Sequence, residues 1–407
     1  MIVVNSRMES ILSRFVTVRS HETSSLMHSA LSFFFILSAY FVVLPLRDEG
    51  AISLGLENLP GLFVGSLLLT LVAAPVSTLI FASPNLSKRK ALAVVHRIFS
   101  FSLVIFFILW FSSKPGNLQP GVKATLPVNS NIKVELKVSI DHTKLANTSS
   151  LKIHGYYYIS VRIALFLWIA LLNLVTVSST WARVTDVMDS ESGSRLFGFI
   201  GAGATLGQLC GSLFAAGMAW LGPYLLLVAA LLLEFAARSS QGIKRETPRR
   251  HTEELSPLRQ AEETEELTES KAAASPSASN STGQPQFGAL LDGLRLILSS
   301  SYLLQVALFL WLSAVVSSFF YFQKVTVIAS SVSSPVDRRR LFAQINSLIA
   351  VFILVGQLTI TGRILTFAGV TAAICSAPSI AFVNQIALAV RPTWIAVAVC
   401  ETLRKVM

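Results

Sequence analysis

The longest apolar run of the chain extends from Leu196 to Leu233 and contains 38 residues without a charged side chain. About 20 mostly apolar residues are enough to cross the hydrocarbon core of a bilayer, so this run is too long for a single span. Gly222-Pro223 interrupts the run, and this pair favours a turn over a continuous helix. The run therefore predicts two membrane-spanning helices joined by a tight turn.

Seven further apolar runs are long enough to cross a membrane. They extend over Met27–Leu46, Leu59–Ser87, Ala91–Phe111, Tyr156–Thr180, Tyr302–Phe322, Leu341–Thr361 and Thr366–Val390. A tenth candidate begins at Pro392 but soon meets Glu401, Arg404 and Lys405. Only 14% of the residues are charged, against about 25% in soluble domains. The pattern predicts an all-α, multi-pass membrane protein with nine spans and a doubtful tenth, and leaves its compartment open.

A change of composition divides the chain into segments. We expect an N-terminal tail over 1–26, a six-helix bundle over 27–238, a disordered charged linker over 239–286 and a partial C-terminal bundle over 287–407. The first bundle carries an extramembrane loop over 112–155, in which the alternation from Ile132 to Ile140 predicts a short strand. An amphipathic interfacial helix is expected over Phe287–Ser299. Two helical bundles joined by a linker are typical of transporters.

Motifs of other function classes are missing from the sequence. It contains no GxxxxGK[ST], HExxH or GxSxG, which argues against ATP hydrolysis and against an intramembrane protease or lipase. The three cysteines, Cys210, Cys375 and Cys400, lie in apolar stretches and are expected to be small buried side chains. The net charge of +11 resides mainly in loops, so membrane topology explains it better than nucleic-acid binding. We expect neither an enzyme nor a bound cofactor or metal.

Charged residues within or beside the spans are the candidate substrate contacts. Arg97 and Arg162 lie inside predicted spans, where a charge is costly unless it is paired or hydrated. As fixed cations they suit an anionic substrate, whereas the alternatives are pairing with a carboxylate such as Glu234 or reaching the interface. Arg47 closes the first span together with Asp48-Glu49, either as an outer gate or as a marker of the water boundary.

Two further patterns surround the fifth span. Asp186, Glu191 and Arg195 precede it and are candidates for an inner gate, because Asp186 or Glu191 could pair with Lys88-Arg89-Lys90. A solvated charge cluster is the alternative. Within the span, small residues recur every four positions and so fall on one helix face, where they permit close approach of a neighbouring helix. These residues are Gly203, Gly207 and Gly211.

Three stretches of the chain resemble one known family. They are Leu31–Gly55, Asp186–Ser212, which includes Arg195-Leu-Phe-Gly198 and the three glycines, and Gly293–Gln323. Together they resemble the ADP,ATP carrier-like nucleotide transporter branch of the major facilitator superfamily. The resemblance implies a two-bundle fold of twelve helices, so we expect a chain that is incomplete at its C-terminus. In the nucleotide exchangers a lysine follows the Leu-Arg-Asp motif, whereas here Leu46-Arg47-Asp48 precedes Glu49.

Taken together, the sequence and this resemblance predict a membrane transporter of the major facilitator type. It would exchange or import an organic anion, such as ATP, ADP or a phosphorylated metabolite, by alternating access in a lipid bilayer. The residues expected to contact the substrate are Arg47, Arg97 and Arg162. The alternative is a truncated membrane protein that does not transport and has a regulatory or partner-binding role.

Overall fold

The computed structural model describes residues 22–82, 87–113, 139–188, 190–244, 295–359 and 369–406. Within these ranges the chain is helical and contains no strand, which confirms the all-α expectation. Ten α-helices are present in them: α1 (Thr23–Ser53), α2 (Leu59–Ala82), α3 (Lys88–Ser112), α4 (Ser139–Val187), α5 (Ser190–Gly217), α6 (Leu225–Ser240), α7 (Ser301–Ser331), α8 (Pro335–Thr359), α9 (Gly369–Val390) and α10 (Trp394–Val406).

Eight helical segments of the described chain are long and apolar enough to cross a membrane. They are Thr23–Ser53, Leu56–Ala73, Lys88–Ser112, Tyr156–Val187, Arg195–Gly217, Ala219–Ser240, Ser301–Ser331 and Pro335–Gly356. The expected ninth span lies in α9, of which Pro378–Val390 qualifies only as a shorter apolar helix. The 13 residues of α10 extend about 20 Å, less than the roughly 30 Å hydrocarbon core. The protein is therefore a multi-pass membrane protein by the length and composition of its helices.

The chain forms two compact units. The first contains Met1–Arg245 and Ser317–Met407, and the second contains Glu246–Val316. Of the second unit, the structure describes only 295–316, which include a helical turn over 295–299 and the first part of α7. The expected linker from 245 onwards and most of the expected interfacial helix lie outside the described residues.

The predicted turn inside the long apolar run is present. Helix α5 ends at Gly217, a 3₁₀-helix covers Ala219–Tyr224, and α6 follows directly. Gly222 has a φ of 57°, in the left-handed region that glycine adopts without a steric cost. The Gly222-Pro223 signal thus correctly divided the run into two spans.

Helix α1 extends beyond the end predicted for the first span. It passes through Pro45 and the charged residues that follow and ends at Ser53, and Gly55 then reverses the chain with a φ of 97°. Asp48 and Glu49 belong to this helix and are buried in the protein. Helix α1 therefore continues through the charges that were expected to close the first span, because charges that find buried partners do not need water.

The glycine face of α5 packs against the backbone of α1. A Cβ at Gly203 would lie 2.9 Å from the Ala30 carbonyl oxygen, and a Cβ at Gly211 would lie 2.5 Å from that of Ser38. A Cβ at Gly207 would meet the backbone of Phe34 in the same way. Three contacts at four-residue intervals on both helices produce the close approach that the spacing predicts.

The core of the first unit is formed by apolar residues from α1, α3, α4 and α6. Val43, Leu103, Leu172 and Leu233 are completely buried in one cluster. Large apolar side chains also lie on the outer helix faces, as Phe101 does, and this is expected where lipid replaces water. Such faces explain one wrong prediction: Cys210 and Cys375 are exposed, and only Cys400 is buried.

The predicted strand over 132–140 lies mostly outside the described residues, and the part that is described is helical. Its last two residues, Ser139 and Ile140, begin α4, while 132–138 lie outside the described residues. Alternating polar and apolar residues were its only support, and α4 continues from Ser139 into the fourth span without a break. The expected loop over 112–155 is therefore helical from 139 onwards.

Candidate functional site

A cluster of buried charges occupies the C-terminal end of α1. Arg47 donates from Nε and Nη2 to Oδ1 of Asp48, at 2.9 and 2.7 Å. The hydroxyl of Tyr321, on α7, donates to the same oxygen at 2.8 Å. The guanidinium of Arg47 also lies 5.0 Å from the ring centroid of Phe166, within cation–π range. The hydrogen bond from Tyr321 to Asp48 therefore joins the C-terminal half of the chain to the N-terminal half.

Glu49 lies between two arginines that come from different halves of the chain. Its Oε2 is 3.3 Å from Nη1 of Arg339, on α8, and 3.9 Å from Nη1 of Arg162, on α4. The side chains of all three residues are about nine-tenths buried. Arg339 also donates from Nε to the carbonyl oxygen of Ala219 at 3.1 Å. A single carboxylate therefore serves as counterion to two buried cations.

Arg162 retains hydrogen-bonding capacity that the described residues do not use. Its Nε and Nη1 are buried, and neither has a hydrogen-bond partner within the described part of the chain. The guanidinium carbon lies 3.2 Å from the ring centroid of Trp110 and 4.7 Å from that of Tyr158. The faces of these rings stabilise the cation of Arg162. The N–H groups at the edge of the guanidinium plane remain able to donate hydrogen bonds. A buried guanidinium of this kind can bind a carboxylate or phosphate oxygen.

The whole cluster has an excess of positive charge. The guanidinium groups of Arg47, Arg162 and Arg339 face the carboxylates of Asp48 and Glu49, which leaves one cation without a matching anion. Each buried ion costs several kcal/mol in desolvation unless its partners compensate, so the excess favours binding of an anion. Arg47 and Arg162, two of the three residues expected to contact the substrate, both belong to this cluster, and their role as substrate contacts stays a prediction.

A second buried cluster joins α7 to α10. Nζ of Lys324 lies 3.1 Å from each carboxylate oxygen of Glu401, and Nζ of Lys405 lies 3.1 Å from Oε1. Both Lys324 and Glu401 are almost completely buried. Sequence reasoning missed Lys324 and Arg339 as site residues. The sequence signal for Lys324 was its position only two residues beyond Phe322, where the predicted span ends.

Arg97 does not belong to the buried cluster. Its side chain is 52% exposed and pairs with both carboxylate oxygens of Glu234 at 3.3 Å. It precedes Trp110, on which Arg162 stacks, by 13 residues of α3, or about 20 Å along the helix axis. The structure therefore favours pairing with Glu234 over a shared substrate site with Arg162.

The structure contains one of the ion pairs expected for the inner gate. Asp186 pairs with Lys88 at 3.2 Å, as the sequence suggested, and with Arg183 at 3.1 Å, and both Lys88 and Asp186 are exposed. Arg195 pairs with Glu22, since its Nη2 lies 3.3 Å from Oε1 of that residue. Glu191 is exposed in the first turn of α5. Asp186 is thus paired with Lys88 and Arg195 with Glu22, and the gating role of the three residues stays a prediction.

The described residues offer no group of three or more His, Cys, Asp and Glu side chains arranged to hold a metal ion. In comparisons with known proteins, the chain matches no family, no curated protein and no solved structure.

Proposed function

We propose that the protein transports an organic anion across a membrane and that Arg162 contacts this anion. The observation that carries the proposal is the buried guanidinium of Arg162, whose Nε and Nη1 have no hydrogen-bond partner among the described residues. Intramembrane charges of this kind are expensive and usually serve transport or ligand binding. The excess positive charge of the cluster supports an anionic substrate.

The position of the cluster supports a role as an anion-sensitive gate. Arg162 lies six residues into the segment Tyr156–Val187, about 9 Å along the helix axis, and Trp110 lies two residues before the end of α3. The cluster is therefore close to the C-terminal end of α3 and to the start of the apolar segment Tyr156–Val187. An anion that binds Arg162 and also reaches Arg339 would compete with Glu49 for both cations and would loosen its contact with Arg339.

Alternating access fits this arrangement. The first half of the chain provides Glu49 and Arg162, and the second half provides Tyr321 and Arg339. Contacts between halves can break and re-form as the halves rock around a central site. The resemblance to the ADP,ATP carrier-like branch supports a major facilitator-type transporter and a nucleotide or phosphorylated metabolite as the substrate. Transport would occur by exchange or by coupling to an ion.

Uptake of labelled ATP and ADP into proteoliposomes tests the proposal. We expect uptake by the wild-type protein, stimulated by internal nucleotide if transport is exchange. Arg162→Gln should abolish uptake, whereas Arg97→Gln should preserve it, because Arg97 is exposed and lies outside the cluster. Equal uptake by the two variants would remove Arg162 from the site. Absence of uptake by folded wild-type protein would exclude the two nucleotides as substrates.

A further inference from the structure

A groove between α5 and α8 has a volume of about 580 Å³, and none of Arg47, Arg162 and Arg339 lines it. Leu213 and Gly217 of α5 form one wall, and Arg340, Leu348 and Val351 of α8 form the other. Gly217 is the last residue of α5, and Arg340 lies in the second turn of α8. The cationic end of the groove is therefore at the helix ends, and its apolar end lies deeper along the two spans.

The length of the groove matches one leaflet of a bilayer. Arg340 and Val351 are 11 residues apart on α8, which corresponds to about 16 Å along the helix axis. The hydrocarbon core is about 30 Å thick, so the groove is long enough to hold an acyl chain of one leaflet. Trp220 and Tyr224, in the turn after α5, are exposed near the same end. Aromatic side chains of this kind are enriched at the membrane–water interface.

The chemistry of the walls changes along this length. Leu213, Leu348 and Val351 are exposed to the surroundings of the protein. Toward the helix ends, the guanidinium of Arg340 is nearly half exposed, and Gln344 follows one turn later. The ion pair of Arg340 with Asp337 is 3.7 Å long and exposed on both sides, and pairs of this kind contribute little. A phosphate group can therefore compete with Asp337 for the guanidinium.

We propose that this groove binds an anionic phospholipid. Arg340 would bind the phosphate of the headgroup in the bidentate manner typical of guanidinium groups. Gln344 would donate to a neighbouring headgroup or ester oxygen, and an acyl chain would lie along Leu213, Leu348 and Val351. Basic pockets between transmembrane helices are suited to such headgroups. This site is independent of the proposed transport activity and of Arg162.

Native mass spectrometry of the full chain in detergent, with equal amounts of phosphatidylglycerol and phosphatidylcholine, tests the site. We expect the wild-type protein to retain phosphatidylglycerol preferentially. Arg340→Gln should reduce this preference by about fivefold, the effect of one basic residue at a lipid surface. Arg238→Gln is the matched control, because Arg238 is also exposed and pairs with an acidic residue on its own helix. Its preference should equal that of the wild type.

A second variant tests the apolar part of the groove. Val351 is exposed, so Val351→Trp should fold, fill the groove and reduce the adducts of both lipids several-fold. Equal lipid preference in Arg340→Gln and Arg238→Gln would overturn the proposal, as would wild-type retention by Val351→Trp. Inorganic phosphate alone should not displace the lipid at equal concentration. Displacement would show that the apolar wall contributes nothing and would exclude a lipid site.

Discussion

Replacement of Gly207 by alanine perturbs the closest contact between α1 and α5. The added Cβ would lie 2.8 Å from Cα of Phe34 and 2.9 Å from its carbonyl carbon, with the carbonyl oxygen closer still. These are backbone atoms, which cannot rotate away as the end of a side chain can. The helices must therefore move apart by on the order of 1 Å to restore ordinary van der Waals distances of about 3.5–4.0 Å.

Two opposing effects determine the size of the change. Overpacking of a well-packed contact costs about 1–3 kcal/mol. Alanine has the higher helix propensity, by about 1 kcal/mol in an exposed helix interior. Gly201→Ala provides the matched control, because it gives the same gain in propensity on the same helix and its Cβ would have no atom within 4 Å. We therefore expect Gly207→Ala to unfold about 1–3 kcal/mol more easily than Gly201→Ala.

Thermal unfolding of both variants in one mild detergent, followed by tryptophan fluorescence, measures this difference. For domains of 150–250 residues, 1 kcal/mol corresponds to on the order of 2–4 °C in Tm. We expect the Tm of Gly207→Ala to lie several degrees below that of Gly201→Ala. The same Tm for both would refute the reasoning, because the close approach of α1 and α5 would then be absent from the folded protein.

Two further predictions concern ion pairs and use the same thermal assay. Glu49→Gln leaves Arg162 and Arg339 buried without their shared counterion, so it should destabilise the protein by about 3–5 kcal/mol. If Arg162 binds an anion, added ATP should raise the Tm of Glu49→Gln by more than it raises the Tm of the wild type. A Tm of this variant that does not change with ATP would contradict the role of Arg162. Lys88→Gln removes an exposed pair with Asp186 and should cost less than about 1 kcal/mol. A larger loss would show that this pair is a structural clamp.

The features that the sequence predicted correctly depend on local spacing. Gly222-Pro223 marks a turn because glycine tolerates positive φ and proline interrupts a helix, and neither property requires a distant partner. Gly203, Gly207 and Gly211 define one helix face through their four-residue interval. Their spacing predicted a close helix contact, but the identity of α1 as the neighbour required the fold.

The charged site could be predicted only in part, because its partners are distant in the chain. Hydropathy treats Arg47-Asp48-Glu49 as the end of a span, since three consecutive charges are costly in lipid. Tyr321 contacts Asp48 from 273 residues away, and Arg339 contacts Glu49 from 290 residues away. These contacts replace water and allow α1 to continue to Ser53. A charge beside an apolar run can therefore mark either the end of a span or a buried ion pair. Which of the two applies depends on whether an opposite charge beside another run reaches it in the fold.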